Sequence, residues 1–229
     1  MLAVLLDIEG TTTPISFVHE VLFPFARQRL HGFLEAHQGQ QDVIRDLKQL
    51  ADEHQHDVEG GLTPPSLAEP YLNWLIDQDR KSPALKALQG KIWEDGYAAG
   101  TLQAPLFPDV LTAMRRWQNA SVRINIFSSG SVLAQKLLFA HTDFGDLSGL
   151  INKYFDTGVG KKNETASYER IATELGLAAN EIHFVSDVAT ELDAARSVGM
   201  ITSLCIRPGN HLQPSNSGHR TIHSFEEME

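Results

Sequence analysis

Short apolar runs and amphipathic segments alternate along most of the chain, and this alternation predicts the fold. Apolar runs that end in polar or glycine-containing turns predict buried strands, and they occur at Ala3–Leu6, Val122–Phe127, Ile182–Val185 and Ile201–Ile206, with Ile222–Phe225 as a candidate edge strand. Helical patterns occur at Asp109–Gln118, Val132–His141, Glu164–Leu175 and Thr190–Val198. Because such alternation is typical of parallel βαβ units, we predict an α/β fold with a doubly wound, mainly parallel sheet.

The stretch between the first two predicted strands follows a different pattern. Its apolar positions have helical spacing without a convincing strand, and they predict helices at Phe17–His37, Asp42–His54, Ser66–Asp79 and Pro83–Ala99. We therefore predict an all-helical cap domain at residues 17–103, inserted into a core domain of residues 1–16 and 104–229. Such a cap would exclude water from a site beneath it. A helical subdomain used only for association is the alternative.

Composition and charge narrow the class of protein. The 229 residues carry a formal net charge of -10 and contain no block of Lys or Arg, so a broad electrostatic footprint for nucleic acid is missing. No run approaches the roughly 20 apolar residues that span a bilayer. Cys205 is the only cysteine, which suits a reducing cytosol. We therefore expect a cytoplasmic protein that binds neither nucleic acid nor a membrane.

Two of the predicted strands lead into a carboxylate. Asp7 directly follows the first apolar run and precedes Glu9 and a Gly-Thr turn, and Asp187 follows the third run after a single serine. Open α/β sheets bind ligands at the carboxyl ends of their strands. On neighbouring strands the two charges would repel unless a cation bridged them, and oxygen ligands suit Mg²⁺. For Asp7 and Glu9 taken alone, ordinary turn residues are the alternative.

Two further segments carry groups suited to phosphate. Ser128 and Ser129 follow the second apolar run and precede a predicted helix, whose first amide groups favour an anion. A loop with two glycines then brings Lys161 and Lys162 to a helix start, where the helix dipole disfavours cations. A bound phosphate would explain a lysine at this position. A capped turn and a solvated loop lysine are the alternatives.

Taken in chain order, the segments at Asp7, at Ser128 and Ser129, at the two lysines and at Asp187 resemble the four motifs of the haloacid dehalogenase superfamily of phosphohydrolases. A more specific resemblance lies in DIEGTTTPISF, which has Glu9 where most of that superfamily has Asp, in FSSGSVLAQKLLFAHTDFGDL, in SDVATELDAA and in IRPGN at Ile206–Asn210. Over nearly the whole chain, the sequence resembles the enolase-phosphatase (acireductone synthase) family of methionine salvage.

The resemblance implies a bifunctional, Mg²⁺-dependent phosphoric monoester hydrolase with enolase activity. It would convert 2,3-diketo-5-methylthiopentyl-1-phosphate to the acireductone 1,2-dihydroxy-3-keto-5-methylthiopentene and phosphate. Asp7 would be the nucleophile, forming an aspartyl-phosphate, and also a metal ligand together with Asp187. Glu9 would approach the metal through its backbone carbonyl and would serve through its side chain as the catalytic acid and base.

The remaining implied roles concern the substrate. Ser128 and Ser129 would contact substrate or phosphate, and Lys162 would serve both binding and catalysis, with Lys161 as the other candidate. The base that enolises the diketone is not identified, although Glu9 is possible. The family resemblance and the acidic composition favour a monomer acting on a small phosphorylated molecule. A phosphatase for another small phosphate ester, a scaffold protein with an inactive site and a metal-free dehalogenase are the competing functions.

Overall fold

The chain forms two compact units. The computed structural model describes residues 1–78, 80, 82–213 and 217–228. Met1–His19 and Leu102–Glu229 form one unit, which we call the α/β unit, and Glu20–Thr101 forms the other, which we call the helical unit. All strands found in the described residues belong to the α/β unit. The role of the helical unit as a cap stays a prediction.

Among the described residues, the helical unit contains four α-helices. They are α1 Phe23–His37, α2 Gln41–Glu59, α3 Ala68–Asp77 and α4 Pro83–Ala98, and a π-helical turn, Phe17–Leu22, precedes α1. Helix α4 begins with a proline and is capped by the Ser82 hydroxyl, which accepts a hydrogen bond from the amide of Leu85. The four predicted helices are confirmed with shifted ends. Asp79, where the third was predicted to end, and Lys81 lie outside the described residues.

In the part of the α/β unit that the structure describes, six strands form one sheet. They are β1 Ala3–Leu6, β2 Arg123–Phe127, β3 Lys153–Phe155, β4 Ile182–Ser186, β5 Ile201–Cys205 and β6 Arg220–Ile222. Their spatial order is β3-β2-β1-β4-β5-β6 and every pair is parallel. The predicted doubly wound fold is confirmed. Chain order reverses direction beside the central strand β1, and ligands of open α/β sheets bind at such a switch point.

Helices cover both faces of this sheet, and aromatic side chains fill the space between. The helices of the α/β unit are α5 Val110–Asn119, α6 Val132–Ala140, α7 Thr165–Leu175 and α8 Ala189–Ser197. Tyr168 of α7 is fully buried, and its ring packs on Phe127 at 5.6 Å and on Phe184 at 5.2 Å between centroids. Its hydroxyl donates to the carbonyl of Lys162 at 2.6 Å, which ties the core to a loop at the strand ends.

The largest differences from the predicted strands are at β3 and at the edge strand β6. Strand β3 was not predicted, because it has only three residues and only Phe155 among them is fully buried. The edge strand predicted at Ile222–Phe225 lies instead at Arg220–Ile222, since Ser224 caps a short 3₁₀ turn that begins at Phe225. Within the described residues, no helix combines the length and the apolar character that crossing a bilayer requires.

Candidate active site

The ends of β1 and β4 bring two acidic residues to one edge of the sheet. Leu6 is paired with Val185, and the amide of Asp7 donates to the Val185 carbonyl at 3.0 Å. Asp7 is only 5% exposed and Asp187 only 4%. The turn after β1 passes close to Asp187 at Gly10, whose φ is +68°. A side chain has no room there, because a Cβ would stand 2.5 Å from Asp187 Oδ2.

A buried lysine contacts the first of these carboxylates. Lys162 Nζ lies 2.7 Å from Asp7 Oδ2 and 2.7 Å from Glu191 Oε2. Hydrogen bonds from the next helix hold the loop around it, because Ser167 Oγ donates to the Lys161 carbonyl at 2.7 Å and Tyr168 to the Lys162 carbonyl.

The two adjacent lysines have different environments. The side chain of Lys161 is 76% exposed and forms an ion pair with Glu164 at 3.4 Å, whereas the side chain of Lys162 is only 7% exposed. The loop that carries both lysines packs closely against Ser167 of α7 at Gly160, whose φ is +127°. A Cβ at Gly160 would stand 2.3 Å from the Ser167 hydroxyl. Of the two, Lys162 is therefore the one that the structure brings to Asp7.

Ser186 and Glu191 complete this cluster. Ser186 Oγ lies 3.2 Å from Asp7 Oδ2 and 2.9 Å from Glu191 Oε2, and it accepts from the Val188 amide at 3.1 Å. Sequence reasoning missed Ser186, since a serine after a strand is common in turns, although its place beside the strand-end Asp187 was a usable signal. The carboxylate of Glu191 contacts Lys162.

Burial and mutual repulsion perturb the acidic groups. Burial, and next the charge of Asp7, raise the pKa of Asp187 to about 7. Burial, again followed by Asp7, raises the pKa of Glu191 to about 6. Burial alone would lower the pKa of Lys162, but the attraction of Asp7 and Glu191 outweighs it and raises that pKa. Three buried carboxylates thus share one ammonium, and further positive charge would relieve their repulsion.

The end of β2 places the predicted serines at the same edge of the sheet. Strand β2 pairs with β1 up to Ile126, Ser128 is buried one residue beyond the strand, and Ser129 is exposed. The Ser128 hydroxyl accepts from the Gly130 amide at 3.1 Å. The hydroxyl of Ser131 caps α6.

The start of α6 offers a smaller anion site than the sequence predicts. The amide of Val132 donates to Asp156 Oδ2 at 3.2 Å, and that of Ala134 donates to Ser131 Oγ at 3.3 Å. Amide groups bonded within the protein are not available to a phosphate without exchange of these partners. The hydroxyl groups at this strand end are consequently the better candidates for contact with an anion.

Glu9 and the two strand-end aspartates supply oxygen atoms only. Glu9 is half-buried and forms a bridge with Thr13 in the turn after β1. Across the described residues, no group of three or more His, Cys, Asp and Glu side chains is arranged to hold a metal. Mg²⁺ does not need such a group, because it binds through one or two carboxylates and completes its shell with water and substrate phosphate. The carboxylates of Asp7 and Asp187 with the Glu9 carbonyl fit that requirement.

Comparison with known proteins gives consistent matches. Residues 1–199 match the family model for haloacid dehalogenase-like hydrolases. The chain is 49% identical to an enolase-phosphatase E1 from Synechococcus elongatus over 229 residues, covering 98% of this chain and 96% of that protein. It is 46% identical to an enolase-phosphatase E1 from Sorangium cellulosum over 226 residues, covering 99% and 96%. The crystal structure of the UTR4 protein from Saccharomyces cerevisiae superimposes with a TM-score of 0.83 at 36% identity, covering 99% of each chain.

Proposed function

Since this chain belongs to the enolase-phosphatase family of haloacid dehalogenase-like hydrolases, we propose that it converts 2,3-diketo-5-methylthiopentyl-1-phosphate to the acireductone 1,2-dihydroxy-3-keto-5-methylthiopentene and phosphate. One structural observation carries the hydrolytic half of this function. A buried lysine contacts a buried strand-end carboxylate, Asp7, with Asp187 on the neighbouring strand. Such a cluster suits the binding of a phosphate and a divalent cation together.

Asp7 is the nucleophile in this proposal. A carboxylate oxygen of Asp7 attacks phosphorus, the bond to the substrate oxygen breaks, and an aspartyl-phosphate forms. Glu9, two residues further along the chain, protonates the departing oxygen and then removes a proton from the water that releases phosphate. The ion pair between Lys162 and Asp7 supports this assignment, because the lysine orients the carboxylate and balances charge on the transferring phosphoryl group.

Mg²⁺ is the proposed cofactor, held by the carboxylates of Asp7 and Asp187 and by the Glu9 carbonyl. When bound, it supplies positive charge for the phosphate oxygens and for the enolate oxygen that develops in the other half of the reaction. The raised pKa of Asp187, caused by burial and by Asp7, supports a cation here. Glu9 is the candidate base for enolisation, and the hydroxyls of Ser128 and Ser129 are the candidate contacts to substrate or phosphate.

The remaining parts of the proposal concern the setting of the reaction. The helical unit, inserted between β1 and β2, serves as a cap that limits water during turnover. The enzyme works as a cytoplasmic monomer on a small phosphorylated substrate and belongs to methionine salvage. The family membership supports this setting, and light scattering after size-exclusion chromatography tests the monomer with an expected mass of 25.4 kDa.

The test separates the two half-reactions. With the diketone phosphate as substrate and oxygen excluded, acireductone absorbance and released phosphate are followed in parallel, and we expect the two to appear in equal amounts. Phosphate without acireductone would leave a phosphatase for another small ester as the function. No phosphate from this substrate or from general phosphate esters would contradict the hydrolytic assignment as well.

A further inference from the structure

The loop after β5 folds back onto the turn that follows β1. Within this loop, Arg207 Nε donates to the Thr11 carbonyl at 3.2 Å, and Asn210 Nδ2 donates to the Gly10 carbonyl at 2.9 Å. Asn210 and Gly10, which are 200 positions apart in the chain, are thereby joined in the turn that follows Asp7. The contact fixes the backbone that carries Glu9 and Gly10.

The orientation of the Asn210 amide follows from its partners. Nδ2 donates to two backbone carbonyls, those of Gly10 and Cys205, the second at 3.2 Å. A carbonyl oxygen can only accept a hydrogen bond. If the nitrogen and oxygen of this amide were exchanged, Oδ1 would face two carbonyl oxygens with no donor among the three atoms. Asn210 Oδ1 must therefore point away from both carbonyls.

The oxygen that results is buried beside Asp187. Among the described residues, Asn210 Oδ1 has no hydrogen-bond partner although the atom is inaccessible to solvent. It lies 2.9 Å from the place of a Cβ at Gly10, and Asp187 Oδ2 lies 2.5 Å from the same place. Two acceptor oxygens, Asn210 Oδ1 and Asp187 Oδ2, therefore lie close to the same point beside Gly10. A buried acceptor without a donor costs about 1–3 kcal/mol, so such an atom calls for an explanation.

We propose that Asn210 is a positioning residue for the divalent cation, an inference that rests on the proposed Mg²⁺ site. Its Oδ1 accepts a hydrogen bond from water of the hydrated cation that Asp7 and Asp187 hold, and its Nδ2 keeps the turn at Gly10 in place. Partners of this kind, one step removed from the ligands, change metal affinity by about 10–100-fold when they are removed. No proton or electron is transferred at Asn210.

The test is a calorimetric titration of the full chain with Mg²⁺ alone, without substrate. We expect Asn210→Ala to weaken Mg²⁺ binding about tenfold. Asn125→Ala is the matched control, since Asn125 is also buried, also donates through Nδ2 to two carbonyls and also has an unpartnered Oδ1 among the described residues. It should bind Mg²⁺ normally.

Each result decides the question. Unchanged Mg²⁺ affinity in a folded Asn210→Ala variant, or equal weakening in Asn125→Ala, overturns the proposal and leaves Asn210 as a brace for the turn. If Asn210→Ala does not fold, NMR of the unchanged protein decides: Mg²⁺ should shift the side-chain amide resonances of Asn210 more than those of Asn125, and the absence of such a shift is the contradicting result. An unchanged protein that binds no Mg²⁺ overturns the cation site and this inference together. Mg²⁺ binding without turnover of the diketone would contradict only the proposed substrate.

Discussion

Arg207 and Lys162 are buried cationic side chains of the α/β unit, and their surroundings contrast. Arg207 binds Asp109 through two parallel hydrogen bonds of 2.9 Å, and its guanidinium lies over the rings of Phe107 and Phe225 at 4.6 and 4.8 Å. Burial opposes ionisation of Asp109, but the hydrogen bonds from Arg207 prevail and lower its pKa. One cation therefore meets one anion, and both are fully bonded.

Lys162 is surrounded by an excess of negative charge. It contacts Asp7 and Glu191, and Asp187 is close enough for Asp7 and Lys162 to affect its ionisation. Here burial and Asp7 raise the pKa of Asp187 rather than lower it. A balanced pair such as the one at Arg207 holds loops in place. An unbalanced cluster is costly for the protein alone, and the proposed cation would relieve that cost. This difference in charge balance distinguishes the structural ion pair at Arg207 from the candidate active site at Lys162.

Asp7→Asn should give the largest effect. The amide cannot attack phosphorus, so we expect phosphate release to fall by about 10⁴-fold or more. Folding should be preserved, since the amide has a similar size and removes one of the crowded negative charges. The measurement is phosphate release per folded molecule, with circular dichroism as the check on folding. A variant that keeps a tenth of the original rate would refute the role of Asp7 as nucleophile.

Lys162→Met should affect both rate and stability, and Lys161→Met is its matched control. Loss of the buried ammonium removes charge stabilisation at the phosphoryl group, which we expect to lower the rate by about 10²–10³-fold. It also leaves Asp7 and Glu191 without their cation, at a cost of about 3 kcal/mol in the free energy of unfolding. Lys161→Met should change neither. Equal effects of the two substitutions in denaturant melts and rate assays would contradict the distinction between the lysines.

Arg207→Met should mainly lower stability. Removing the guanidinium strands the buried carboxylate of Asp109, and we expect urea melts to lose about 3–5 kcal/mol. The rate per folded molecule should fall less than it does in Lys162→Met. Adding Asp109→Leu should recover part of the stability, because replacing a whole buried pair by apolar groups is often neutral. A rate loss larger than that of Lys162→Met would place Arg207 in the catalytic machinery and end the contrast.

In the metal-free protein, Asp187→Asn should change the free energy of unfolding by an amount that depends on pH. The pKa of Asp187 is raised from 3.8 to about 7 in the folded protein, so the folded state holds a proton that the unfolded state has released between these values. Metal-free protein therefore loses stability as pH rises through this window, by up to about 4 kcal/mol at about 1.4 kcal/mol per pKa unit. Asp187→Asn, which cannot ionise, should be more stable than the unchanged protein at pH 8 and nearly equal to it at pH 4. Melts in EDTA measure the difference, and a difference that grows towards low pH would contradict it.

Much of the fold could be predicted from local pattern. Strand β1 has its predicted bounds, because four apolar residues lead directly into a charge, and β4 differs from its prediction by a single residue. Strand β3 could not be predicted, since Lys153 and Tyr154 are half-exposed and the strand depends on pairing with β2. The hydrophobic pattern of a segment indicates how that segment is buried, whereas a short edge strand depends on a partner strand far away in the sequence.

The candidate site was predictable where residues stand at strand ends. Asp7 and Asp187 could be placed together by this rule, and one of the two lysines, Lys161 or Lys162, by its loop. The choice between Lys161 and Lys162 depends on which side chain the loop buries, and adjacent identical residues carry no such signal. Asn210 could not be assigned, because its contact to Gly10 joins two loops that the pattern leaves undefined. The resemblance marked the segment around it without indicating a role.

The most direct test of the central claim is a crystal structure of the protein soaked with Mg²⁺ and a phosphate mimic. The account predicts a cation within about 2.1 Å of carboxylate oxygens of both Asp7 and Asp187, with the mimic in contact with Lys162. A cation bound elsewhere, or a mimic that contacts neither Asp7 nor Lys162, would contradict it.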